Sequence, residues 1–175
     1  MARMFPPPGD HYDIIPPRVS ESQLEASWAM DGEEENVQGI SARKSGVSAV
    51  VTHASPLALR EAVERIAYYF LRELESTVSV PYCSLEKDDQ HRAYVWTDGE
   101  PVVIGACCFR WRRDVDPAGY ALQWIWFHPY ERRKGRLGKA WPYFESRFGK
   151  FIIEGPYSPA MKAFLGKHRL SPFET

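Results

Sequence analysis

Ala121-Leu-Gln-Trp-Ile-Trp-Phe-His-Pro-Tyr-Glu-Arg-Arg-Lys-Gly-Arg-Leu-Gly138 decides the reading of this chain. The first seven residues are apolar and aromatic, apart from Gln123, and read as a strand. The next eleven, His128 to Gly138, carry four basic residues and two glycines. Lys139 to Phe148 then reads as a helix. A strand that ends in a basic, glycine-bearing turn and opens a helix suits an anion. The turn's N–H groups lack partners, the helix start carries partial positive charge, and glycine lets a phosphate approach closely. A phosphate-containing cofactor is therefore the first expectation.

Working outward, Val47 to Thr52 reads as a strand, and Leu57 to Leu74 as a helix with Leu59, Val63, Ile66, Tyr69 and Phe70 on one face. Ser55 is a plausible N-cap for it, with Pro56 at the first helical position. Arg92–Thr97 and Pro101–Trp111 read as two strands joined at Asp98-Gly99, a strong hairpin signal, and Tyr120–His128 as a third. Phe151–Glu154 reads as a last strand and Ala160–His168 as a closing helix. Residues 1–46 are proline-rich, then acidic, and are expected to form an N-terminal arm, extended or partly disordered, with a short helix over Ser20–Met30. The arm's Phe5, Tyr12 and Trp28 can pack on the domain, residues 47–175, or on a second copy of the chain as a homodimer.

The net charge of −1 hides an asymmetry. Residues 1–109 sum to −8 and residues 110–175 to +7. The positive part holds the turn, so it can attract an anionic cofactor, while a pI near 6.5 makes nucleic acid an improbable partner. No apolar run approaches the ~20 residues of a membrane span, and the Met1-Ala-Arg-Met-Phe-Pro start does not read as a secretory signal. Cys83, Cys107 and Cys108 are odd in number and two are adjacent, which is no disulfide framework and points to a reducing cytoplasm. Nothing near Cys83 and His91 completes a tetrahedral set, so no metal is expected.

Element order and turn together resemble the GNAT (GCN5-related N-acetyltransferase) superfamily, over roughly residues 47–170. Its signature turn is Arg/Gln-x-x-Gly-x-Gly/Ala. Arg132-Arg-Lys-Gly135-Arg-Leu137 matches the Arg and the first Gly, with Leu137 in the last position and Gly138 one residue later. His128-Pro129 is common in the family at this place, and Ser158 to His168 looks like its last helix. A shorter likeness, Trp124-Ile-Trp126 followed by Arg132-Arg-Lys-Gly135, is similar to the cohesin acetyltransferases, which modify lysines on a protein.

The resemblance implies an α/β fold, a mixed and mostly antiparallel sheet flanked by helices. It implies acetyl-CoA as co-substrate, lying where two strands part, and transfer of the acetyl group to an amine acceptor, protein or small molecule, with a protein amine favoured. Backbone groups of Trp126, Phe127 and His128 would bind the pantetheine arm. Amides of Arg133, Lys134, Gly135, Arg136, Leu137 and Gly138 would hold the pyrophosphate, with Arg132, Lys134 and Lys139 adding charge. Leu137 puts a side chain where the family has almost none, so either the cofactor shifts or Gly138 takes over. The family's frequent acid, a Tyr in the last helix, is replaced by Leu165, leaving Tyr157 and Ser158 as substitutes. Glu154 and His128 are the candidate bases. Plainer roles stand beside these: His128 as a structural residue, Glu154 as a paired carboxylate, Tyr157 as a cover for the last helix. The alternative function is a CoA-binding or protein-interaction module without catalysis.

Overall fold

The computed structural model describes residues 14–30, 36–74 and 82–168. In chain order they form α1 (Glu21–Met30), β1 (Asn36–Val37), β2 (Ile40–Ser41), β3 (Ala49–Val51), α2 (Leu57–Glu73), β4 (His91–Thr97), β5 (Val103–Arg112), β6 (Gly119–Phe127), a 3-10 turn (Pro129–Glu131), α3 (Arg136–Phe148), β7 (Ile152–Ile153) and α4 (Pro159–His168). The five-stranded sheet has the order β3-β4-β5-β6-β7. Its first four strands are antiparallel and β7 runs parallel to β6. This is the mixed, mostly antiparallel α/β architecture expected.

Both sheet faces are covered. Leu59, Val63 and Ile66, spaced three or four apart along α2, are fully buried against Val51, Val95, Ala106 and Trp124. Each such side chain contributes about 1.5–3 kcal/mol by leaving water. On the opposite face α3 and α4 pack through Phe144, Trp141, Met161 and Leu165 onto Tyr94, Phe109 and Leu122. Phe109 is the hub there, with ring centroids of Phe148, Phe144 and Phe151 at 4.2, 5.0 and 5.1 Å.

Two sequence expectations need correction. Ser55 does not cap α2. Its hydroxyl instead accepts from Thr52 N at 3.0 Å and bonds Ser27 Oγ at 3.1 Å, and the helix follows Pro56 without a side-chain cap. The second concerns residues 14–30 and 36–46, which are no free arm. The helix expected over Ser20–Met30 is present as α1, and Trp28 is buried in the core, its Nε1 donating to Ser48 O at 2.8 Å. Ser27 donates to Val50 O. Ahead of α1, Val19 N donates to Pro101 O and Val103 N to Pro17 O, both at 2.9 Å. A β1–β2 hairpin, which the sequence expectations do not include, packs on α3. Phe5 and Tyr12 lie outside the described residues. Among those described, no helix is long and apolar enough to cross a membrane.

A bulge interrupts the β5–β6 pairing. Leu122 faces Phe109 and Trp124 faces Cys108, which leaves Gln123 as the extra residue.

Candidate active site

The turn after β6 is held from behind and open in front. His128 caps the 3-10 turn, its Nδ1 accepting from Tyr130 N at 3.3 Å. Glu131 N donates to His128 O at 2.8 Å. Arg133 (φ 62°) and Gly135 (φ 74°) both take left-handed backbone, and Gly135 is the N-cap of α3. The first helical bond is Lys139 N to Gly135 O at 3.0 Å. The amides of Arg133 to Gly138 donate to no acceptor among the described residues. A Cβ built on Gly135 meets nothing within 4 Å. Main-chain donors converging on open space at a helix N-terminus are what a diphosphate needs.

The side chains around this nest are less available than its backbone. Arg132 points backwards, not at the anion position. Its Nη1 lies 2.7 Å from Glu73 Oε1, Nη2 pairs with Glu73 Oε2, and Nε donates to Phe127 O at 2.9 Å. Trp126 Nε1 donates to the same carboxylate at 2.7 Å, with the guanidinium 5.6 Å from the indole centroid. Lys134 and Arg136 reach Glu131, at 2.8 and 2.5 Å. Partial burial works against the Glu131 charge, but the hydrogen bonds from Lys134 and Arg136 outweigh it and hold the carboxyl below its usual range. Arg133 and Lys139 are exposed. Leu137 turns into the core beneath α3, and a Cβ built on Gly138 would stand 3.7 Å from the His168 ring.

Beside the turn the sheet parts. β7 pairs with β6 at Ala121 and Leu122 alone, followed by Glu154 N to Leu122 O at 2.9 Å. From Gln123 onward that edge of β6 has no strand neighbour among the described residues. Which backbone groups face the gap follows from alternation in an antiparallel ladder. His128 N donates to Ile104 O at 2.8 Å, so His128 and Trp126 address β5, and the groups pointing into the gap belong to Ile125 and Phe127. The expectation that Trp126 and His128 supply backbone bonds to a ligand is thereby corrected. Phe127 keeps its N–H, its carbonyl being held by Arg132, and Ile125 joins it. Sequence alone missed Ile125 because the Gln123 bulge resets the parity. The Phe127 ring lies across Gly105, where a Cβ would stand 2.3 Å from Cδ1, which is why a glycine sits mid-strand in β5.

A cleft fills the gap, lined by Phe70, Leu122, Gln123, Trp124, Ile125, Ile153, Glu154, Pro156, Tyr157, Ser158 and Met161. It reaches both sides of the sheet. Leu122, Ile125, Ile153, Tyr157 and Met161 belong to the α3/α4 core, while Phe70 and Trp124 belong to the α2 core. Three of the four expected catalytic side chains meet in it. Glu154 is ion-paired with Arg112, which also binds Asp114 at 2.6 Å. Tyr157 donates its hydroxyl proton to Ile153 O at 2.7 Å. Ser158 caps α4, its Oγ accepting from Met161 N at 3.2 Å, which leaves the hydroxyl hydrogen free to turn into the cleft. His128 is not at the mouth. Its ring is buried, with Nε2 3.2 Å from Ile14 O, and it ties the N-terminal segment to the turn. Leu165 is buried in the core. Cys107 and Cys108 are fully buried, which pushes both thiols up and leaves neither a nucleophile.

Solved structures share this fold. No protein-family model and no curated protein sequence matches the chain. Among solved structures, it is similar to a ribosomal-protein-alanine N-acetyltransferase from Brucella melitensis biovar Abortus 2308, at 15% identity and a TM-score of 0.51, over 73% of this chain and 91% of that one. It is also similar to the xEco2 acetyltransferase domain bound to a K105-CoA conjugate, at 16% identity and a TM-score of 0.53, over 69% of this chain and 84% of that one. At such identities the likeness speaks for the fold: this chain has the fold of the GNAT acetyltransferases.

Proposed function

We propose that this protein transfers an acetyl group from acetyl-CoA to a primary amine. The observation that carries the reading is the open row of amides from Arg133 to Gly138, at the mouth of the gap between β6 and β7. The diphosphate would rest on those amides, and the pantetheine arm would pair with Ile125 and Phe127 along the unpaired edge. Acetyl-CoA supplies the activated thioester. The α3/α4 side of the cleft adjoins the anion nest, so the acceptor enters from the α2 side, past Phe70 and Trp124.

The chain's own groups suit the remaining tasks. The Ile125 N–H, farther along β6 from the anion nest than the Phe127 N–H that meets the arm, is a fixed donor for the carbonyl oxygen on which charge builds. Ser158 can relay to the departing sulfur the proton that the attacking amine gives up, its hydroxyl donating one proton as it receives the other, whereas the Tyr157 proton is already engaged. Holding both reactants in one cleft supplies much of the rate. A protein amine is the favoured acceptor. Two similar structures carry names that point to protein substrates, a ribosomal-protein-alanine acetyltransferase and a domain bound to a lysine–CoA conjugate.

A non-catalytic CoA-binding module is the second reading, favoured by the pairing of Glu154 with Arg112 and by Leu165 at the usual acid's position. Thiol release from acetyl-CoA over a panel of lysine peptides, N-terminal peptides and small amines separates the two. Release with at least one amine supports the transferase, while binding without release supports the module.

A further inference from the structure

Three of the cations around the nest are spent on protein carboxylates. Arg132 is held by Glu73, and Lys134 and Arg136 by Glu131. A further donor reaches the nest from another element. α4 ends against the first turn of α3, where its last residue, His168, lies over Gly138. A Cβ built on Gly138 would stand 3.7 Å from both Cε1 and Nε2 of that ring, and 4.0 Å from Phe164 Cε2. Glycine at 138 therefore lets the Cε1–Nε2 edge of the imidazole settle beside the residue that ends the nest. The His168 side chain is exposed, and neither ring nitrogen has a partner among the described residues. Phe164, one turn earlier on α4, supports the ring, with centroids 4.4 Å apart and planes 36° apart.

This packing poses an electrostatic problem. The last carbonyls of a helix lack partners and carry about half a negative charge. Here that end of α4 adjoins the place where a diphosphate would rest. Lys167 and His168 are the basic residues of this last turn. A histidine there offsets the helix end and turns an N–H donor toward the anion.

We infer that His168 is a phosphate-binding residue, its Nε2–H donating to the diphosphate of CoA opposite the amides of Arg133 to Gly138. This rests on the CoA reading proposed above, though not on turnover. The diphosphate is then gripped from two elements, by main-chain amides of the turn and by a side chain of α4. The docking of α4 on α3 becomes part of cofactor recognition. The pantetheine arm lies elsewhere, along β6, so removal of His168 weakens only ligands that carry the diphosphate.

Calorimetric titration with acetyl-CoA, its 3′-dephospho form and acetyl-pantetheine tests this. In His168→Ala the Kd of acetyl-CoA rises roughly tenfold, and that of the dephospho form rises by the same factor. Acetyl-pantetheine, which has no phosphate, binds the variant and the unmodified protein equally. His168→Gln, whose amide nitrogen replaces Nε2, keeps most of the affinity for acetyl-CoA. Unchanged acetyl-CoA affinity in His168→Ala overturns the inference. So does equal loss in the Ala and Gln variants, or a loss confined to the ligand with the 3′-phosphate. A loss shared by acetyl-pantetheine also overturns it, since the side chain then only supports the fold. All of these leave the CoA reading standing. Absence of acetyl-CoA binding to the unmodified protein removes that reading and the inference together.

Discussion

Gly105 and His91 show what single residues do in this fold. At Gly105 the space for a side chain is filled by the Phe127 ring. Gly105→Ala forces that ring off Trp96, whose centroid is 4.9 Å away, and should cost about 1–3 kcal/mol by overpacking. Urea unfolding measures it, and an unchanged midpoint would place the ring elsewhere. At His91 burial lowers the folded-state pKa below 6.5. The unfolded chain then binds more protons as pH drops, so stability present above about 6.5 declines from there down to the folded pKa. Midpoints at about pH 7.5 and about pH 5 should show that decline, and it should be smaller in His91→Leu. Gly135 was legible in sequence because its type and place follow from the turn's chemistry. His128 was not: a His-Pro before a basic turn looks like a mouth residue, and only the fold brings Ile14 O to its ring.

Between elements, Arg132 ties three together. Its guanidinium joins the end of β6 and the following turn to Glu73, the last residue of α2, and Trp126 joins the same carboxylate. Both ionic partners are partly shielded, the side chains 27% and 17% exposed, so this pair is worth more than a surface bridge. Arg132→Ala and Glu73→Ala should each destabilise by about 1–3 kcal/mol, and the double variant by less than their sum. Strict additivity in that cycle would mean the pair does not act as a unit. The basic cluster showed in the sequence, but which of its cations turn inward depended on a helix that ends sixty residues earlier in the chain, roughly. The strands were legible from alternation and from Asp98-Gly99. The edge that serves a ligand was not, because a one-residue bulge exchanges the inward and outward backbone groups.

Across the whole molecule, the N-terminal segment is part of the core. Trp28→Ala should cost about 3–5 kcal/mol and leave a single cooperative transition. A separate early transition would instead make α1 an independent appendage. Proline and acidic content suggest an arm, yet a single buried indole and a few backbone bonds to Pro101 and Val103 secure residues 14–30. The central claim concerns the anion nest, and calorimetric titration of acetyl-CoA tests it most directly. The unmodified protein should bind. Gly135→Asn, which tolerates left-handed backbone, should bind with at most a modest loss. Gly135→Glu, which puts a carboxylate at the phosphate position, should not bind. Equal affinity in all three proteins would contradict the account.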